Sequence, residues 1–345
     1  MRRFLNDLSI EQYGKIKFAK QLILQKKSKK ELSGKKKVIW FLDAPDYGNL
    51  GDQAIAYAIH KFCRDNLPER EIIEFQESNV LQYLAWIKNN IKEQDIIVLQ
   101  GGGNLGDLYP RYEFIRRTIV KNFSQNKIIV FPQSVSYRMD KSGEDERKIA
   151  AEIYGKHKNI TLFARDSHSY KKMKKIFPNT NIQICPDIVF YLVGVTKQGK
   201  RNGLGICLRN DKEKNILQKD VELLIEKIKD SYSYAKKFDT ICKLDGPISY
   251  TIRKKIVLAK LEEISKFEMV VTDRLHGMIF SYVTSTPCIS LNNSTGKSAN
   301  TYKDWISKAK SISFVLNDYS SIELPIMEPS KKLNFESLRK ALVNK

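Results

Sequence analysis

Val270-Val271-Thr272-Asp273-Arg274-Leu275-His276-Gly277-Met278-Ile279-Phe280-Ser281 is the stretch on which the reading of this chain turns. A short β-branched run leads into three polar side chains, and an apolar run of helical period follows, so the segment reads as a strand, a loop and a helix start. In open α/β sheets ligands gather outside the carboxyl ends of the strands, and a helix N-terminus presents unpaired N–H groups to an anion. Arg274 offers a planar fork to a carboxylate or phosphate, and His276 changes protonation near neutral pH. The competing reading is architectural: Asp273 caps the helix and His276 fills a packed turn.

Working outward, the same alternation fills the chain. Short apolar strands are predicted at residues 37–42, 71–75, 95–100, 127–132, 160–164 and 182–185, with helical patterns at 54–66, 80–91, 112–123, 144–154 and 167–176 between them. Buried strands alternating with helices imply a parallel, doubly wound sheet. A polar, basic break at 196–203 precedes a second series, with strands at 204–208, 268–272, 288–291 and 311–316 and helices at 219–229, 249–265 and 276–284. The expected division is a basic N-terminal arm at 1–37, a first α/β domain at 38–195 and a second at 196–345. A last helix at 334–343 is placed to fold back on the first domain. A ligand is expected in a cleft between the two halves.

Composition bounds the function. The 345 residues carry 60 Lys and Arg against 39 Asp and Glu, a formal net charge of +21, which attracts anionic substrates, membrane surfaces or nucleic acid. Much of the excess lies in the arm, where Arg2, Arg3, Lys15, Lys17, Lys20, Lys26 and Lys27 interleave with Phe4, Leu5, Leu8, Ile10, Ile16, Phe18 and Leu22. Such a basic amphipathic segment can lie on anionic lipid; an ordinary first helix with a lysine-rich linker is the alternative. No interleaved aromatic platform or nucleic-acid module stands out, so nucleic acid is not expected as a partner. No apolar stretch approaches the roughly 20 residues of a membrane span, and the start lacks a secretory apolar core. The expected location is the cytoplasm, with peripheral contact at the inner face of the membrane. Cys63, Cys185, Cys207, Cys242 and Cys288 are scattered and never spaced C-x-x-C, against both a disulfide framework and a structural zinc site.

Two glycine-rich loops follow predicted strands. Gly48 and Gly51, in Tyr47-Gly48-Asn49-Leu50-Gly51-Asp52, allow close backbone approach just before a helix, with Asp52 near its start. Gly101-Gly102-Gly103-Asn104-Leu105-Gly106 matches G-x-G-x-x-G, but the acidic residue a dinucleotide ribose needs is missing where Phe131-Pro132-Gln133-Ser134 stands. Gly296-Lys297-Ser298 imitates the end of a P-loop without its upstream glycine. Arg165, Asp166, Asp187 and Arg209 also fall at strand ends; each alone reads equally as a cap or an ion pair. Together the cations fit a small, highly anionic ligand.

These blocks, with Cys185-Pro186-Asp187 and Leu291-Asn292-Asn293-Ser294-Thr295-Gly296-Lys297, run in an order that resembles the polysaccharide pyruvyl transferases. The resemblance implies two Rossmann-like α/β domains with parallel sheets facing a cleft, as in GT-B glycosyltransferases, and phosphoenolpyruvate as donor to a sugar acceptor. It carries donor contact onto Arg274, Leu275 and His276, and onto Arg165. The basic arm lies outside the family core.

The chemistry can be argued beside the resemblance. The carboxylate and phosphate of phosphoenolpyruvate demand several fixed cations, and Arg274, Arg165, Lys297 and Arg209 are the candidates. His276 is the candidate acid, since a neighbouring phosphate favours imidazolium; Asp52 and Asp187 are candidate bases for an acceptor hydroxyl. Gly48, Asn49, Gly51, Gly102, Gly103 and Asn104 are expected to approach substrate. No metal and no cofactor is called for. The acceptor is a sugar of a cell-surface polysaccharide or its precursor, lipid-linked or not. A nucleotide-sugar glycosyltransferase and a non-catalytic module binding anionic polymer are the alternatives, because fold alone does not choose function.

Overall fold

The computed structural model describes residues 8–23, 36–197, 199–209, 218–244, 247–292, 296–316 and 322–344. The chain separates into two compact units: Met1–Asp46, Ile59–Asp187 and Phe335–Lys345 form the first, and Tyr47–Ala58 with Ile188–Asn334 form the second.

The first unit is built on a seven-stranded sheet. Its strands are β1 (Val38–Ala44), β2 (Glu71–Gln76), β3 (Ile96–Leu99), β4 (Gly102–Gly106), β5 (Lys127–Ser136), β6 (Ile160–Ala164) and β7 (Asn181–Ile184), ordered β2-β1-β3-β5-β6-β7 with β4 pairing β5. Every pairing is parallel. Strands β1 and β3 are buried along their whole length, which is why they read as unbroken apolar runs rather than as alternation. Trp40, fully buried, stacks on Phe75 with ring centroids 6.4 Å apart and meets Trp86 edge-on.

Helix α1 (Ile10–Ile23) belongs to this unit. Phe18 stacks on Phe114 at 5.7 Å, Gly14 lies against the same ring, and the Ile10 N–H donates 2.8 Å to Glu146. Over its described part the expected arm is therefore a packed helix, its apolar positions spent on the protein itself, while Ile16 and Ile23 face outward among lysines. The rest of the arm, residues 1–7 and 24–35, lies outside the described residues. At the other end, helix Glu336–Val343 is assigned to the first unit, and the Ser337 hydroxyl donates to the Ile184 carbonyl.

The second unit holds a five-stranded parallel sheet ordered β12-β11-β10-β8-β9, from β8 (Leu204–Cys207), β9 (Ala235–Lys237), β10 (Met269–Thr272), β11 (Cys288–Leu291) and β12 (Ile312–Val315). Leu204, Ile206, Val271, Ile289 and Leu291 form its core. Strand β10 is central, so residues 273–276 emerge at the carboxyl end of the middle of the sheet.

Two boundaries differ from those expected. The division falls after Asp187 rather than at 196, because the 3₁₀ turn Ile188–Leu192 packs into the second unit, Phe190 meeting Tyr282 edge-on at 5.4 Å. Residues 47–58 join the second unit although they precede the first unit's second strand, for reasons that lie in the site itself.

Candidate functional site

The site in the second unit starts from β10. After Thr272 the chain turns through Asp273 and Arg274 into the helix Leu275–Val283, with Arg274 at the N-cap position. The Thr272 hydroxyl donates to the Cys207 carbonyl and accepts the Arg274 N–H at 3.1 Å, which fixes the turn to strand β8. Asp273 does not cap the helix. Its Oδ1 takes the Arg209 N–H at 2.8 Å, tying the ends of β8 and β10 together, and burial raises its pKa. Arg274 is buried, 9% exposed as a residue, and its Nη2 lies 3.0 and 3.1 Å from the two carboxylate oxygens of Asp239. Its Nε is buried with no hydrogen-bond partner among the described residues.

The glycine loop before helix α2 (Leu50–Asn66) is sewn to a strap at residues 239–242. Leu50 N donates 2.7 Å to the Thr240 carbonyl, Cys242 N donates 2.8 Å to the Gly48 carbonyl, and Asn49 bridges Ile241. The Asn49 side chain caps the helix, Oδ1 accepting the Gly51 N–H at 2.9 Å and the Asp52 N–H at 3.4 Å, so its carbonyl oxygen serves the fold. Gly51 abuts His276: a Cβ there would come within 2.1 Å of the ring's Nδ1. This contact, with the strap, is why residues 47–58 belong to the second unit. Asp52 Oδ2 accepts the Tyr47 hydroxyl at 3.0 Å. Gln53 donates to the Tyr47 carbonyl and accepts from fully buried Arg253, each at 2.8 Å. Gly48, Gly51, Asp52, Arg274 and His276 are thus drawn together by one unit. Lys297 opens a short helix, Lys297–Thr301, after Gly296 in the left-handed region at φ 63°; residues 293–295 of that block lie outside the described residues.

A second constellation sits at the sheet ends of the first unit. Gly102–Gly106 is an extended strand. Gly102 and Gly106 adopt φ of 117° and 118°, and a Cβ on Gly106 would lie 1.9 Å from the Ser136 carbonyl oxygen, so the glycines serve a close strand pairing. Asn104 Oδ1 accepts 2.6 Å from Arg116 and 3.0 Å from Gln133. Arg116 is in turn paired with Glu113 at 2.6 Å, inside a fully buried group where Arg117 and the Tyr154 hydroxyl also donate to Glu113, and Arg117 reaches Glu146. Burial alone raises the Glu113 pKa, but Arg117 and Arg116 together hold it below the ordinary value. Arg165 donates to the Ser134 hydroxyl at 2.6 Å and stands 3.4 Å from Asp187. Asp166 caps helix Ser167–Ile176 through Ser169 N.

One residue before the end of β1, the Asp43 carboxyl accepts the Gln100 N–H at 2.6 Å and is pushed up to about 6 by burial. Glu77, past the end of β2, reaches about 8, burial outweighing Arg111 with Asp46 adding to the rise. Sequence reasoning missed these two, and also Asp239, Tyr47 and Arg116. Asp43 carried a readable signal, an acid closing an apolar strand run; Asp239, inside a lysine-rich stretch, carried none.

Comparison with known proteins agrees with the motif order. The profile of the polysaccharide pyruvyl transferase family matches residues 49–295. General stress protein 30 of Bacillus subtilis (strain 168) is 36% identical over 293 residues, covering 85% of this chain and 84% of that protein. Pyruvyl transferase 1 of Schizosaccharomyces pombe (strain 972 / ATCC 24843) is 29% identical over 289 residues, covering 79% and 71%. Among solved structures, a functionally uncharacterized protein of Klebsiella pneumoniae, KP1_0663, superposes with a TM-score of 0.52 at 16% identity, over 90% of this chain and all of that one. The matched span takes in the glycine loop from Asn49 onward and the Arg274–His276 turn, and the chain belongs to the polysaccharide pyruvyl transferase family.

Proposed function

We propose that this transferase takes phosphoenolpyruvate as donor and closes a cyclic pyruvate ketal across two hydroxyls of one sugar in a cell-surface polysaccharide or its precursor. The observation that carries the reading is the pairing of Arg274, with a buried and unmatched Nε, and His276, packed on the Gly48–Gly51 loop at one strand end. Arg274 takes the donor carboxylate, with Lys297 and Arg209 as further cations for the phosphate. His276, as imidazolium, gives its proton to the methylene carbon, leaving an oxocarbenium centre at the carbon bearing the phosphate. A sugar hydroxyl attacks that centre and loses its proton to Asp52; the C–O bond to phosphate breaks, and the second hydroxyl closes the ring, giving its proton to the now neutral His276. Within the first unit Arg165 is held by Ser134 and Asp187, so Asp187 orients that guanidinium rather than acting as the base. Leu275 lines the donor beside Arg274. Contact of the basic N-terminal segment with an anionic membrane at the cytoplasmic face is proposed on charge alone, and would bring the enzyme to a lipid-linked acceptor.

The test is mass spectrometry of a panel of glycosides after incubation with phosphoenolpyruvate, with inorganic phosphate assayed in parallel. A ketal mass increment matched by phosphate release, lost in His276→Ala, is the expected result. A glycosyl increment from a nucleotide sugar, with phosphoenolpyruvate unconsumed, would overturn it.

A further inference from the structure

We propose that Asp239 is the internal stand-in for the donor's carboxylate at Arg274, and so determines which ligands that guanidinium admits. This rests on the donor reading above. Both Asp239 oxygens address the same nitrogen, Nη2, at 3.0 and 3.1 Å, while Nε stays buried without a hydrogen bond among the described residues. Asp239 therefore grips Arg274 by one nitrogen and does not make the side-by-side fork that a guanidinium offers a carboxylate. A ligand carboxylate spanning Nε and Nη2 gains that fork and satisfies the stranded donor. The exchange also keeps a buried cation neutralised at every stage, which a neutral ligand cannot do.

Exposure indicates which carboxylate yields. The Asp239 side chain is 46% exposed and that of Arg274 10%, so Asp239 regains water when it lets go, whereas Arg274 stays in place and needs a new partner. The backbone beside Asp239 does not have to move with it. Thr240 and Cys242 remain bonded to Leu50 and Gly48, so the strap holds the glycine loop while one side chain swings, giving up the 3.2 Å hydrogen bond that its Oδ1 accepts from the exposed Ile241 N–H. Asp239 is thus a specificity residue: it leaves for a carboxylate and stays against a ligand that brings none.

The experiment measures binding of phosphoenolpyruvate, pyruvate and methyl pyruvate, by calorimetry, to the wild type, Asp239→Asn and Asp239→Ala. Methyl pyruvate keeps the shape of pyruvate and lacks the charge. Removing a competing half-exposed ion pair should tighten pyruvate and phosphoenolpyruvate by up to about fivefold, leave methyl pyruvate unchanged, and lower KM for the donor without raising kcat. Equal or weaker pyruvate binding in both variants, with thermal unfolding unchanged, overturns the proposal and makes Asp239 a support for Arg274. Tighter pyruvate in the variants with no phosphoenolpyruvate binding by any of the three proteins would uphold the stand-in and sink the donor reading instead. Absence of carboxylate binding in all three proteins defeats the stand-in.

Discussion

Gly51→Ala is a one-carbon test of whether the position of the His276 ring matters. The added Cβ would sit 2.1 Å from Nδ1, 2.5 Å from Cγ and 2.8 Å from Cε1, where ordinary contact begins near 3.4 Å. The ring must therefore withdraw by about 1.3 Å, and since Cγ is among the atoms met, rotating the tip of the side chain is not enough. Stability changes modestly, because two effects oppose. Alanine in the first turn of α2 gains at most about 1 kcal/mol over glycine, and overpacking costs about 1 to 3 kcal/mol, for a net loss of about 0 to 3 kcal/mol. Turnover has no such compensation. Misplacing a reacting group by about 1 Å can cost on the order of a hundredfold. The assay is phosphate release from phosphoenolpyruvate at saturating donor and acceptor, beside a urea unfolding curve. A folded Gly51→Ala enzyme with kcat within threefold of wild type would refute both the acid role of His276 and the need for its packing on the loop.

Arg274→Lys keeps the charge and loses the fork, so donor affinity should fall by about 1.5 to 3 kcal/mol in titration calorimetry; an unchanged Kd would count against the assignment. Glu113→Gln leaves two buried guanidiniums short of their shared anion and should lower stability to urea by about 3 to 5 kcal/mol; a loss under about 1 kcal/mol would show the network to be structurally dispensable. Glu77 has a carboxyl raised from 4.5 to about 8, so the fold binds its proton more tightly than the unfolded chain does. Its contribution is full below pH 4.5 and lost as pH rises through 8. Urea midpoints measured from pH 5 to 8 should fall less steeply in Glu77→Gln than in wild type, and parallel profiles would reject the shift.

What was legible in the sequence follows from how local each signal is. The buried strands β1, β3, β10 and β11 announce themselves as short apolar runs, β3 and β10 with a β-branched majority, and the Arg274–His276 turn follows directly from β10. Strand β4 did not, because glycines carry no side-chain period; its pairing with β5 is a long-range fact expressed only in backbone angles. The transfer of residues 47–58 to the second unit depends on bonds to residues nearly two hundred positions away, which no local window contains. Their place in the motifs marks Asn49 and Asn104 as expected substrate contacts. Their side-chain oxygens are engaged within the protein, one as a helix cap and one by Arg116 and Gln133, and polarity at a strand end does not distinguish those duties.

The strap also gives the protein a chemical handle. Of the five cysteines, all free, Cys63, Cys185, Cys207 and Cys288 are buried and Cys242 is partly exposed. Burial pushes the Cys63, Cys207 and Cys288 thiols up to about 12, so they offer almost no thiolate to an alkylating reagent. A maleimide dye should therefore settle on Cys242 without any engineered substitution, three residues from Asp239 and hydrogen-bonded through its backbone to Gly48. Its emission would report events at the glycine loop in the native enzyme, in real time, as ligands arrive.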